Sequence, residues 1–156
     1  MPKINGGINY IIKNKLDFLF RKISKEQGTP DLIHLHPFIT AGDGVQKLSE
    51  KYKIPYVITE HHSGFLKNEY TNHQIKTIKK VLQSADSVIA VSTALGKQLS
   101  NYTDNKIHVI PNMVDVNKFN IKYKDKNRDT FIFFSLGYLT KIKGIDVLIN
   151  AFHKIK

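Results

Sequence analysis

The segments that decide the fold of this chain are PDLIHLH (30–36), IPYVITEHHSGF (54–65) and SADSVIAVSTAL (84–95). Each contains a short apolar run that ends in polar or glycine residues, as the buried strands of a parallel sheet do. The residues between these segments carry apolar side chains three and four positions apart, which is the spacing of amphipathic helices. Strands that alternate with helices at this distance form βαβ units. The sequence therefore predicts an α/β fold whose parallel sheet has helices on both faces.

The predicted elements run through most of the chain. A first helix covers residues 10–26 and ends at the glycine and proline of QGTP (27–30). After it, strands are predicted at 32–35, 56–59, 88–91 and from 109 onwards, and helices at 45–52, 75–82 and 95–99. Residues 111–128 are polar, rich in asparagine and lysine, and lack an apolar period, so we interpret 111–129 as a linker. We expect residues 1–110 to belong to one domain and 130–156 to begin a second one.

The last stretch of the chain has the pattern of a phosphate-binding loop. An apolar run (130–134) predicts a strand, GYLTKIKG (137–144) forms a glycine-containing loop, and an amphipathic helix is predicted at 145–155. A helix N-terminus offers free N–H groups and partial positive charge to a phosphate, and Lys143, directly before Gly144, adds an ammonium. The simpler interpretation is an exposed lysine on a strand–helix turn. The loop is neither a Walker loop nor GxGxxG.

Polar residues recur where the predicted strands end, which is where open α/β sheets bind ligands. His36 follows the first strand together with Gly42 and Gly44, and the run Glu60-His61-His62 follows the second. A histidine there can act as a general base or orient a hydroxyl, and a neighbouring glutamate could hold its tautomer. The alternative is a pair of solvated loop histidines. Ser92 follows the third strand and is predicted to cap the next helix, with its hydroxyl facing the same cleft.

His34 and His36 alternate along one strand, as histidines in some metal-dependent hydrolases do. Such a site needs further ligands, and His108 is predicted at the start of its strand rather than its end. We therefore expect no metal site, and we expect His36 to line the cleft.

Composition narrows the functional classes. The 156 residues carry a net charge of +11, from 24 Lys and Arg against 13 Asp and Glu, and they include no cysteine. Nucleic-acid binding is not expected, because no binding motif accompanies the charge. Two interpretations of the charge remain open. It could attract anionic lipid or phosphorylated substrates, or it could simply reflect a lysine-rich surface. The sequence has no signal-peptide pattern, and none of its apolar runs approaches the roughly 20 residues of a spanning helix. We therefore expect a cytoplasmic protein.

Five segments in order resemble the glycosyltransferase group 1 family and its subfamily-4-like N-terminal domain, which has the GT-B architecture. They are the three segments quoted above, HVIPNMVDVNKF (108–119) and FSLGYLTKIKGIDVLINAF (134–152). The resemblance implies two Rossmann-like domains, of which residues 1–110 form part of the first and 130–156 the start of the second, nucleotide-sugar-binding one. It also implies transfer of a sugar from a nucleotide-diphosphate donor, with retention of configuration and without a metal or other cofactor.

The resemblance also assigns residues. His61 corresponds to the histidine beside the donor sugar and acceptor, and Gly137, Lys143 and Gly144 correspond to the loop that grips the diphosphate. We expect a second group to line the cleft: His36, Glu60, His62, Ser92, Asn112 and Tyr138. The family pattern has an arginine where this chain has Tyr138, so one diphosphate-binding cation is missing. The family's opening strand and its paired-glutamate segment would lie outside residues 30–156.

The sequence therefore predicts a glycosyltransferase of cell-surface polysaccharide biosynthesis, acting on a glycan or lipid-linked acceptor. It would work in the cytoplasm or at the inner face of the membrane, in contact with anionic lipid, and its remaining half could be separately encoded. Two alternatives stay open. One is a catalytically incomplete fragment or binding module, and the other is a metal-dependent hydrolase that uses His34 and His36.

Overall fold

The computed structural model describes residues 6–62, 64–65, 70–119 and 131–155. Its helices and strands are α1 (Gly6–Gln27), β1 (Ile33–Leu35), α2 (Phe38–Tyr52), β2 (Tyr56–Glu60), α3 (Asn72–Gln83), β3 (Ser87–Ala90), α4 (Thr93–Leu99), β4 (Ile107–Val109) and α5 (Ile145–His153). A 3₁₀ turn, Lys141–Lys143, precedes α5. The chain divides into two compact units, Met1–Val114 and Asp115–Lys156. The division falls within the stretch that the sequence suggested as a linker.

The first unit is built on a parallel sheet of four strands in the order β1-β2-β3-β4. Leu35 pairs with Ile58, and Glu60 pairs with Ala90. Helix α2 packs against β1 and β2, and α4 packs against β3 and β4. The predicted α/β class, with a parallel sheet flanked by helices, is confirmed.

The core lies between this sheet and its crossover helices. Its buried side chains come from the strands, from the helices and from Phe65, and they include Phe38, Val45, Tyr56, Ile58, Ile78, Val81, Leu82, Val88, Leu95 and Leu99. A second, smaller cluster of Phe20, Leu48 and Ile54 joins α1 to α2. As predicted, α1 ends at a glycine: Gly28 has a φ of +89° and its N–H donates to the carbonyl of Ser24 at 3.1 Å.

Helix α2 begins seven residues earlier than its apolar period indicated. Gly42 and Gly44, which we expected in a ligand-facing loop after β1, lie inside this helix and are buried. A Cβ on Gly42 would come within 3.0 Å of Val81 Cγ1 and 3.4 Å of the Phe38 side chain. Gly42 therefore serves the close approach of α2 to α3, and the loop interpretation was wrong because tertiary contact, not local pattern, requires the glycine.

The strand predicted at 130–134 is not formed in the described residues. Residues 131–136 have no regular secondary structure, and the side chains of 131–134 are exposed; residue 130 lies outside the described part. A strand exists only when a neighbouring strand pairs with it, and none of the described residues does so here. The helix predicted after it is confirmed as α5.

Among the helices of the described residues, none has both the length and the apolar character required to cross a membrane.

Candidate active site

The carboxyl ends of β1 and β2 bring two predicted site residues together. His36 follows β1 and His61 follows β2, and His36 Nδ1 lies 3.1 Å from His61 Nε2. Their ring centroids are 5.3 Å apart, and the ring centroid of His34 lies 4.0 Å from that of His36. Adjacent parallel strands end at the same edge of a sheet. Two histidines that are 25 positions apart in the sequence therefore come within hydrogen-bond distance.

Glu60 holds the main chain of this edge from inside the core. Its side chain is fully buried, with 0% exposure. Oε1 accepts the backbone N–H groups of His61 at 2.9 Å and His62 at 2.6 Å, and Oε2 accepts the N–H of Phe38 at 3.4 Å. We expected Glu60 to line the cleft, where it could hold the tautomer of a neighbouring histidine. In the structure its carboxyl group instead accepts hydrogen bonds from backbone N–H groups.

Helix α2 explains why an acid is tolerated there. Its N-cap residue, Pro37, makes no side-chain cap, so Glu60 supplies an acceptor to the first helical N–H. Burial raises the pKa of Glu60, and the three N–H groups lower it by a smaller amount. A proline side chain has no hydrogen-bond acceptor, so Pro37 was the one signal in the sequence that the N-terminus of α2 needed an acceptor from another element.

His62 is fixed in one tautomer. Its Nδ1 accepts the N–H of Gly64 at 3.1 Å, so this nitrogen carries the lone pair, and the hydroxyl of Tyr70 lies 3.0 Å from the same atom. A Cβ on Gly64 would meet the His62 ring at 2.6 Å and the Tyr70 oxygen at 2.7 Å, so only glycine fits. The sequence had not indicated Tyr70, which comes eight positions after His62 along the chain.

His36 is close to two other imidazoles, those of His34 and His61. Desolvation lowers the pKa of His36, and the positive charges that His34 and His61 carry when protonated lower it further. His34 Nε2 is paired with the hydroxyl of Thr59 at 2.8 Å. Within the described residues, no group of three or more His, Cys, Asp or Glu side chains is placed to hold a metal ion. The metal-dependent hydrolase alternative therefore lacks a ligand set in that part of the chain.

Ser92 follows β3 at the same edge of the sheet. Its hydroxyl accepts the N–H of Leu95 at 3.2 Å, which confirms the predicted N-cap of α4. The side chain is exposed, so its predicted contact with a ligand stays a prediction. Asn112, beyond β4, is also exposed, in a stretch without regular secondary structure.

The second unit contains the predicted diphosphate loop. Gly144 has a φ of +63°, the left-handed region that glycine adopts most readily, and it links the Lys141–Lys143 turn to α5. The first turn of α5 contains Asp146, whose carboxylate is stabilised by the positive end of the helix dipole. Lys143 lies against Gly137, where a Cβ would be 3.9 Å from Lys143 Cγ. The loop thus joins a helix N-terminus and the exposed side chains of Lys143 and Tyr138 in one short segment.

A parallel α/β sheet with histidines at its carboxyl edge places these side chains where open sheets bind ligands. Comparison with known families defines the class further, because the model of Glycosyltransferase Family 4 matches residues 6–118. The chain belongs to this glycosyltransferase family.

Individual relatives agree with the family. TuaC of Bacillus subtilis (strain 168), a glycosyltransferase assigned to teichuronic acid biosynthesis, is 29% identical over 137 residues, which are 81% of this chain and 35% of TuaC. The uncharacterized glycosyltransferase MJ1178 of Methanocaldococcus jannaschii is 31% identical over 151 residues, covering 96% of this chain and 40% of that protein. YqgM, an uncharacterized glycosyltransferase of Bacillus subtilis (strain 168), is 27% identical over 131 residues, 81% of this chain and 36% of YqgM. The chain thus spans well under half the length of these relatives.

Proposed function

We propose that this chain takes part in transfer of a sugar from a nucleotide-diphosphate donor to a glycan or lipid-linked acceptor in cell-surface polysaccharide biosynthesis. Membership of the glycosyltransferase family supports the reaction class, and the assignment of TuaC to teichuronic acid biosynthesis supports the product class. The observation that carries the proposal is His61, an exposed imidazole at the carboxyl end of β2 whose main chain is held by a buried acid. The reaction we propose retains the anomeric configuration and uses no metal.

In this proposal His61 is the catalytic residue. Its ring is exposed at the sheet edge, while the N–H of its own backbone donates to Glu60 at 2.9 Å. A side chain on an anchored main chain can hold a sugar hydroxyl in a reactive orientation with little loss of freedom on binding. His61 then accepts or donates a hydrogen bond beside the carbon that is transferred.

The second unit supplies the diphosphate-binding residues of the proposal. Gly137, Lys143 and Gly144 cradle the two phosphates with backbone N–H groups and one ammonium. The leaving nucleoside diphosphate gains negative charge as its bond to the sugar breaks, so a cation and a helix N-terminus stabilise it most in the transition state. Tyr138 contributes one hydroxyl donor and no charge, and we therefore expect weak donor binding.

We place the reaction in the cytoplasm, at the inner face of the membrane. The net charge of +11 favours contact with anionic lipid. The remaining part of the donor site would come from chain beyond the segment described, or from a separately encoded half.

Turnover of nucleotide sugars tests the proposal. The chain, alone and joined to any adjacent reading frame, is incubated with UDP-glucose, UDP-N-acetylglucosamine or GDP-mannose, and release of the nucleotide is measured. We expect His61→Ala to lower turnover at least about 100-fold and Lys143→Ala to weaken donor binding. His108→Ala and Lys97→Ala, which change exposed side chains on β4 and α4, are the matched controls. Unchanged turnover in both test variants would contradict the residue assignments, and binding without turnover would favour the binding module.

A further inference from the structure

When both rings are neutral, the contact between His36 and His61 has two self-consistent proton arrangements. At 3.1 Å, His36 Nδ1 and His61 Nε2 share one hydrogen, so one nitrogen carries it and the other offers a lone pair. If His36 donates, the hydrogen of both neutral rings sits on Nδ1 of His36 and on Nδ1 of His61. If His61 donates, both neutral rings carry their hydrogen on Nε2.

We propose that His36 is a positioning residue for His61: it accepts the Nε2–H of His61 and thereby leaves His61 Nδ1 as the acceptor for a substrate hydroxyl. This inference rests on the proposed function, in which His61 contacts the reacting sugar. It adds which ring nitrogen faces the substrate and which residue sets that choice.

Intrinsic tautomer preference favours this direction. A free neutral histidine side chain prefers its hydrogen on Nε2, and the proposed arrangement gives both rings that form. The reverse direction requires the less favoured Nδ1–H form twice. With Nε2 of His61 engaged by His36, Nδ1 is the nitrogen that remains for a ligand.

The surroundings hold His36 in place for this role. Its ring contacts that of His34, at a centroid distance of 4.0 Å, and His34 Nε2 is hydrogen-bonded to the hydroxyl of Thr59 at 2.8 Å. Thr59 is buried in β2, one residue before the glutamate that anchors the backbone of His61. Both partners of the hydrogen bond are therefore connected to the carboxyl end of β2, His36 through His34 and Thr59 and His61 through Glu60.

The lowered pKa of His36 agrees with the proposal. Desolvation and the charges of His34 and His61 when protonated lower this pKa and so favour the neutral form of His36, which the proposed hydrogen bond requires. The neighbouring His62 cannot take over the part of His36, since its Nδ1 already accepts from Gly64 at 3.1 Å.

Nuclear magnetic resonance of the chain labelled with ¹⁵N-histidine tests the contact directly. We expect a ring N–H signal assigned to His61 Nε2 that shows coupling across the hydrogen bond to His36 Nδ1. In His36→Phe, which keeps a ring against His34 but removes the acceptor, that N–H should exchange with water and its signal should vanish. In His36→Asn, the side-chain oxygen can accept in place of Nδ1, so the signal should persist without the nitrogen–nitrogen coupling. His108→Phe is the matched control, and unchanged amide spectra show that each variant is folded.

Two results would overturn the proposal. One is a shared hydrogen bonded to His36 Nδ1 instead of His61 Nε2, and the other is a His61 signal that is the same in His36→Phe as in the unaltered chain.

Turnover separates this inference from the proposed function. With the same nucleotide sugars, His36→Phe should lower kcat about tenfold with little change in KM for the donor, and His36→Asn should restore most of the loss. If the coupling is present but His61→Ala leaves turnover unchanged, the proposed function is wrong and the contact stands. If the coupling is absent but His61→Ala abolishes turnover, the positioning role is wrong and the function stands.

Discussion

Replacing Glu60 with glutamine should destabilise the first unit although the shape of the side chain is kept. Oε1 can still accept from the two histidine N–H groups, but the amide nitrogen would replace Oε2 and oppose the N–H of Phe38, now 3.4 Å from Oε2. The N–H of Phe38 would be left without its acceptor inside the protein, which costs about 1–3 kcal/mol, so we expect a loss of that size in the free energy of unfolding.

The same variant has a defined pH dependence. Burial raises the pKa of Glu60 in the folded state above the value of about 4.3 that glutamate has in an unfolded chain. The folded state therefore binds this proton more tightly. Glu60 makes its full contribution to stability at pH values below the unfolded pKa. This contribution is lost as the pH rises through the folded pKa. The advantage of the unaltered chain over Glu60→Gln should thus be largest near pH 4 and smaller near pH 8.

Urea denaturation followed by circular dichroism, at several pH values between 4 and 8, measures both effects. Glu26→Gln, an exposed acid near the end of α1, is the matched control and should change stability by less than about 0.5 kcal/mol. A Glu60→Gln variant as stable as the unaltered chain throughout, or a difference that does not vary with pH, would refute the role of Glu60 in holding α2 and the loop after β2.

Two further predictions concern packing and hydrogen bonding in the first unit. Gly42→Ala should lower the free energy of unfolding by about 1–2 kcal/mol, because its methyl would come within 3.0 Å of Val81 Cγ1 and overpacking outweighs the better helix propensity of alanine. Gly96→Ala, where the nearest atom would be 3.4 Å away, should be neutral or stabilising in the same urea titration, and equal losses at both glycines would contradict the argument. Asn105→Ala should cost about 1–3 kcal/mol, because the Asn105 amide donates to three main-chain carbonyls at and just after the end of α3 at 3.0–3.1 Å. Asn105→Asp should be at least as unstable, since a carboxylate cannot donate to carbonyls, and a melting temperature equal to that of the unaltered chain would contradict this.

The order of the elements could be predicted from the sequence, because it depends on local patterns. Apolar runs of strand length, helical spacing between them and the glycine after α1 are properties of neighbouring residues, and the structure confirms the α/β class that they indicate. The position of His61 at a strand end follows in the same way. The family resemblance depends on ordered local segments, and the family match over residues 6–118 agrees with it.

Element boundaries and partners could not be predicted in this way. Helix α2 starts at Phe38 because an acid 22 residues later accepts its first N–H, and Gly42 is needed because α3 packs against it. The run at 131–134 has every local feature of a strand, but in the described residues no neighbouring strand pairs with it.

By itself, then, the sequence determined the fold class, the family and the placement of polar residues at the carboxyl edge of a parallel sheet. Only the tertiary structure decided what those residues do to one another. It turned Glu60 inward onto backbone N–H groups, fixed the tautomer of His62 through Gly64, and set His36 against His61. The physical reason is that periodicity reports which face of an element is buried, whereas a hydrogen bond depends on distances that arise only when separate elements pack together.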